Sequence, residues 1–125
     1  KTLFPYTTLF RSLRWAWKAF FDEVDFLIIP VMPVTAFPHE HGAEGSRKIQ
    51  IDGQAHPYYC QTFWAGLTSV AHLPSTVIPA GTASDGLPVG LQIVGPAWSD
   101  LRTIGLAQRL EAMGFAFTPP PALAP

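Results

Sequence analysis

The sequence predicts an α/β fold, a β-sheet flanked by helices, and three observations carry that reading. Apolar stripes of helical period take turns along the chain with short runs of strand length, which is neither the pattern of a bundle nor that of a sandwich. Residues 26–29 (Phe-Leu-Ile-Ile) are continuously apolar and are followed by Pro30, which suits a strand needing cover on both faces. Charged residues are 14% and apolar residues 48% of 125, with a mean hydropathy of +0.20, against an average charged share of about 25%. A chain of this length holds at most one domain.

The elements come in this order. Leu13, Trp17, Phe20, Phe21 and Val24 recur on one helical face, with Arg14 and Lys18 on others, so a buried helix is expected before Asp25. The strand at 26–29 comes next, and Pro33, Pro38 and Gly42 make the next stretch a loop. Residues 47–51 alternate as a strand, with Ile49 and Ile51 on one face, and Asp52-Gly53 signals a hairpin turn. Pro57 suits a first helical position, and Tyr59, Phe63, Leu67 and Val70 then form an apolar stripe that Pro74 ends, with Trp64 and Thr68 on an adjoining face. Residues 75–79 and 89–94 read as adjacent antiparallel strands, joined by a turn containing Asp85-Gly86. Ser99 or Asp100 caps a last helix carrying Leu101, Ile104, Leu110 and Met113, closed by Gly114. These elements cannot cover both faces of the sheet, so the sheet is expected to continue in further chain.

Residues 1–12 share no period with the helical stripe that begins at Leu13 and resemble translated adapter sequence; the expectation is a non-native segment at 1–12, a folded portion at 13–117 and a Pro-rich tail at 118–125. With no initiating methionine, the whole reads as part of a longer protein.

The net charge of −1 offers no basic stripe for a phosphate backbone, so nucleic acid is not an expected partner. The longest apolar stretch is broken by Pro30 and Pro33, so no membrane partner is expected either. Cys60 is the one cysteine; it cannot form an internal disulfide and leaves a reducing compartment, most simply the cytoplasm, as the expected location.

The chemistry-bearing residues read mostly as structural. His39-Glu40-His41 lies in a solvated loop without further convergent ligands, so no metal site is expected. Cys60 with His56 or His72 would make a thiol and a base, but no nucleophile motif surrounds Cys60, and His72 suits a helix end where it favours the dipole. The stretch 81–86 lacks the spacing of a Gly-x-Ser-x-Gly elbow, which leaves Ser84 a turn hydroxyl. Asp22, Glu23 and Asp25 read as solvated charge or local capping at a helix exit. No cofactor is expected.

Two blocks carry a family resemblance: Leu73-Pro74-Ser-Thr-Val-Ile-Pro79-Ala-Gly81, and Gly86-Leu-Pro-Val-Gly-Leu-Gln92-Ile-Val-Gly95. Together with Phe21-Asp22-Glu-Val-Asp25-Phe-Leu-Ile-Ile-Pro30-Val-Met-Pro33 and Ser99-Asp100, they resemble the C-terminal part of the amidase signature family. The resemblance implies a mixed β-sheet wrapped by helices. It implies hydrolysis of an amide to a carboxylate and ammonia or an amine, through a serine, a second serine in a cis peptide and a lysine, all in the family's N-terminal half. Lys1, Lys18 and Lys48 lie outside that lysine's context, so no catalytic residue is carried over and the segment by itself is expected to be inactive. The implied partners are a small-molecule amide, the N-terminal half and a second copy in a homodimer. Trp64, off the apolar stripe of its helix, is the expected substrate-binding residue in the cleft wall. Glutamine amidotransferase subunits share the resemblance, and a noncatalytic α/β interaction module is the third reading.

Overall fold

A computed structural model describes residues 5–120. Helix α1 spans Pro5–Glu23, strand β1 Leu27–Pro30, the hairpin strands β2 and β3 Lys48–Ile51 and Gln54–Pro57, helix α2 Phe63–Ser69, strands β4 and β5 Ser75–Thr82 and Pro88–Val94, and helix α3 Asp100–Ala112. The main sheet has the order β1-β5-β4, antiparallel throughout, and β2-β3 forms a separate ribbon. The fold is α/β, as expected.

Strand β5 is central and is covered from both sides. Ile93 and Val94 are completely buried although they point to opposite faces. Helix α3 closes the face that carries Ile93: Thr76, paired with Ile93, meets Thr103 of α3 hydroxyl to hydroxyl at 2.8 Å. The helix can come this close because of Gly95. A Cβ there would lie 2.3 Å from Ser99 Oγ and 2.8 Å from Thr103 Cγ2. Ser99 precedes α3, yet its hydroxyl turns inward and donates to the Pro96 carbonyl at 2.7 Å instead of capping the helix amides, as expected of Ser99 or Asp100. Gly114, at φ +108, closes α3 as expected.

Several expectations need correction. Residues 26–29 were expected to form the doubly buried strand; β1 is instead an edge strand, and Ile28 is 50% exposed because β5 is its one described neighbour. The buried helix expected before Asp25 is a largely exposed one, because no other described element is laid along it; Trp17, Phe20 and Phe21 shelter each other, with ring centroids 5.2–5.8 Å apart. It also begins at Pro5 rather than near Leu13. Pro57 ends β3, and the helix expected from it is split into a 3-10 turn, Tyr58–Thr62, and the short α2. Its faces are largely exchanged: Tyr59, Phe63 and Val70 of the expected stripe are exposed and Leu67 is half-buried, while Thr68 is buried and Trp64 half-buried. The expected hairpin is present, with Asp52 at φ 52 and Gly53 at φ 76 in its two-residue turn. The tail at 118–125 lies partly outside the described residues.

Gly95→Ala is expected to cost about 1–3 kcal/mol, since Ser99 and Thr103 are both buried and cannot yield cheaply. Thermal or denaturant unfolding checks this, and a melting temperature equal to wild type would refute the tight fit.

Candidate functional site

One grouping of chemistry-bearing side chains lines a cleft of about 500 Å³ where the 3-10 turn and α2 face Pro33 and the β2-β3 ribbon. Its walls include Pro33, His56, Tyr59, Cys60, Phe63 and Trp64. Each is placed by local structure. His56 comes from β3, opposite the buried Ile49. Cys60 and Tyr59 sit on the 3-10 turn, which the Thr62 hydroxyl tightens by donating to the Tyr59 carbonyl at 2.8 Å. Phe63 and Trp64 begin α2 and meet edge to face, with centroids 5.1 Å apart at 77°.

Trp64 is tied to the sheet through its backbone. The side-chain amide of Gln92, 4% exposed on β5, donates to the Trp64 carbonyl at 3.3 Å and to the Pro30 carbonyl at 2.9 Å, while its oxygen accepts from Ser75 Oγ at 2.9 Å. Gln92 therefore positions one wall of the cleft. It stands in the second motif block, but nothing in a single sequence marks a glutamine in an apolar run as the link between a sheet and a helix.

The other candidate residues are scattered. His39 and His41 stack with centroids 6.1 Å apart in an exposed loop, and no group of three metal-ligating side chains occurs among the described residues. Asp22 pairs with Lys18 at 3.0 Å and Asp25 with Arg102 at 2.8 Å, both exposed pairs of the solvated kind expected. Cys60 and His56 share the cleft, whereas His72 lines a wider depression of about 1110 Å³ between α1 and the loop at 96–100, beside Trp98, which is 96% exposed. That depression is the larger of the two, yet its only bases and acids are exposed chains, partly paired with each other.

His72 departs from its expected role. Its backbone, not its imidazole, ends the helix: the His72 amide donates to Ser69 O at 3.0 Å and the Leu73 amide to Thr68 O at 3.2 Å, a Schellman closure with His72 in the left-handed region at φ 57. The end of α3 has the same pair of bonds around Gly114.

Asp85 holds the β4-β5 turn. Its carboxylate accepts from the Leu87 amide at 3.0 Å and from Thr35 Oγ1 at 2.8 Å, and these bonds hold it below its ordinary pKa of 3.8. The loop after β1 is thereby pinned to the turn, while Ser84 remains an exposed turn residue, as expected.

Known proteins resemble this chain in sequence and in arrangement. The family described as Amidase matches residues 7–104. Among curated relatives, the A subunit of glutamyl-tRNA(Gln) amidotransferase from Leptospira interrogans is 32% identical over 108 residues, covering 84% of this chain and 20% of that protein. The protein of the same name from Salinispora tropica is 39% identical over 104 residues, covering 80% and 18%. A solved structure described as an amidase superposes with a TM-score of 0.72 at 26% identity, over 86% of this chain and 24% of that one. A bacterial aryl acylamidase of the amidase signature enzymes superposes with a TM-score of 0.62 at 28% identity, covering 86% and 22%. The chain spans about a fifth of the length of the curated relatives it matches.

Two outcomes test these placements. His72→Gly removes a left-handed non-glycine residue at a helix end and is expected to stabilise the protein by about 1 kcal/mol, read as a rise in melting temperature. Thr35→Val removes one of the bonds that lower the Asp85 pKa, so the carboxyl titration followed by NMR shifts back toward 3.8. The sign is set by linkage: a carboxyl lowered in the folded state contributes stability above its unfolded pKa, and loses it as pH falls through the folded one, so the variant has the narrower window of acid loss.

Proposed function

The chain belongs to the amidase signature family, and from that premise we propose that it is a segment of an amidase-type serine hydrolase, one that converts a carboxamide to a carboxylate and ammonia or an amine. The observation that carries the reading is the union of the family match over residues 7–104 with a cleft whose wall is anchored to the central strand by a buried amide. In this reading Trp64 contributes to the substrate wall, and the rest of the protein supplies the nucleophilic serine, its serine partner and the lysine. An unactivated hydroxyl attacks an amide poorly, so a serine needs a base to take its proton and donors to hold the oxyanion. The serine oxygen bonds to the amide carbon, the C–N bond breaks with the proton passing to the leaving nitrogen, and water then releases the carboxylate.

The division at 1–12, 13–117 and 118–125 stays part of the proposal, as do a cytoplasmic location and a homodimer. The family match begins at residue 7. Among the described residues no helix is long and apolar enough to cross a membrane. A second reading, a glutamine-using amidotransferase subunit, is favoured by the names of the curated relatives.

Two measurements test the reading. The longer protein carrying this segment is expected to release ammonia from an amide panel. The 125-residue chain alone, incubated with aromatic and aliphatic amides and with glutamine, is expected to match the buffer blank. Turnover by the chain alone that survives repurification and disappears in Cys60→Ala or His56→Ala would overturn the assignment of the chemistry to the rest of the protein.

A further inference from the structure

We propose that the depression between α1 and the loop at 96–100 seats an apolar element of the protein's own further chain, which closes over Trp98. Trp98 is 96% exposed and left-handed, at φ 68, a marked outlier for so bulky a residue. Strain of this kind persists only where the surroundings over-determine it. On the backbone side that determination is visible. The Ser99 amide donates to the Pro96 carbonyl at 3.1 Å and the Ser99 hydroxyl to the same oxygen at 2.7 Å, so residues 97 and 98 are looped out between them. Ser99 is itself buried against Gly95, where a Cβ would lie 2.3 Å from its Oγ, which leaves no room for an indole beneath the turn. The fold holds a tryptophan outward, and no described residue covers it.

The depression beside Trp98 has the chemistry of a packing surface rather than of an ionic site. Phe21, Leu73, Pro74 and Pro96 line it, and its formal charges balance, Arg14 and Lys18 against Asp22 and Asp100, with Lys18 and Asp22 paired at 3.0 Å. At about 1110 Å³ it exceeds the roughly 300–1,000 Å³ of ordinary ligand pockets, which suits a piece of chain. A second left-handed residue, His72 at φ 57, comes shortly before β4 as Trp98 comes shortly after β5. The Gly95 amide ties these strand ends together by donating to the Pro74 carbonyl at 3.1 Å, so one side of the depression is fixed. The other side is α1, along which no described element is laid. The occupant follows from what lies outside the segment. The chain spans about a fifth of the length of the curated relatives it matches, so most of that length is available to cover this surface. An element of the same chain also meets it at a high effective concentration, which a second copy does not.

The test uses the longer protein that carries this segment, and it turns on a sign. Glycine relieves a left-handed backbone, so if Trp98 were uncovered Trp98→Gly would melt above wild type, as expected of His72→Gly. With the indole docked, Trp98→Gly is expected to melt below wild type, and Trp98→Phe between the two because it keeps part of the buried aromatic area. A second measurement does not depend on the glycine variant folding: acrylamide quenching of tryptophan emission in wild type and in Trp98→Phe, repeated over serial dilution. The emission that Trp98→Phe removes is expected to be quenched several-fold less than that of free tryptophan at every concentration. Trp98→Gly melting at or above wild type would overturn the proposal, as would Trp98 emission quenched as readily as free tryptophan. Shielding that disappears on dilution would overturn it too, by assigning the surface to a second copy.

Discussion

A single buried side-chain amide, that of Gln92, fixes how the pieces of this fold meet. Both of its N–H groups are spent on backbone carbonyls, of Pro30 at the end of β1 and of Trp64 in α2, and its oxygen accepts from Ser75 at the start of β4. The amide can be placed in only one orientation, because two carbonyls require the NH2 side and leave the oxygen for the hydroxyl. At 4% exposure the Gln92 amide is shielded from solvent, while Ser75 and Pro30 among its partners are exposed residues and Trp64 is half-buried. Replacing Gln92 by an apolar residue would remove three hydrogen bonds at once, each worth about 0.5–1.5 kcal/mol net. The amide therefore sets the spacing of β1, β4 and α2 around β5, and through Trp64 it sets one side of the cleft.

The opposite face of β5 depends on close approach rather than hydrogen bonding to an amide. Gly95 lets Ser99 and Thr103 come against the strand end, and Thr103 then reaches Thr76 while also donating to the Asp100 carbonyl at 2.8 Å. On the Gln92 face, Gly90 also permits close packing, with a virtual Cβ 3.3 Å from the Ile78 carbonyl and from Val77 Cγ1. The Gln92 face thus carries a polar network, and the α3 face a close approach at Gly95.

Much of this organisation was legible in the sequence, where local chemistry decides it. Asp52-Gly53 and Asp85-Gly86 announced their turns, and the helix stop at Gly114 was equally plain, since each depends on a conformation few other residues adopt. The doubly buried strand was misplaced because burial is a property of neighbours: residues 26–29 are more apolar than 88–94, but the latter happen to be central. The faces of α2 were exchanged for a geometric reason. A 3-10 turn advances about 120° per residue against about 100° in an α-helix, so the five residues Tyr58–Thr62 rotate a stripe by about 100° before α2 begins. Tyr59 and Phe63 consequently leave the core, and Thr68 enters it. At the end of α2 the left-handed residue is His72, and histidine marks that conformation far more weakly than glycine does.

The candidate site was legible only as one aromatic residue, and its physical content explains why. A catalytic constellation declares itself by reactive groups at fixed spacing, whereas a binding wall is made of the residue types that also make cores. Trp64 acquires its place from a turn that changes the helix phase and from a glutamine far along the chain, neither of which is a motif. On the proposed reading, the chemistry resides in a serine and lysine set elsewhere in the protein, while this segment shapes the space into which the scissile amide's substituent fits. Substitutions in such a wall change which amide is held, through the area and charge presented to its substituent, and leave the bond-breaking groups untouched. Because the wall is tethered by the same Gln92 amide that joins β1, β4 and α2, the shape of the cleft and the integrity of the sheet are coupled.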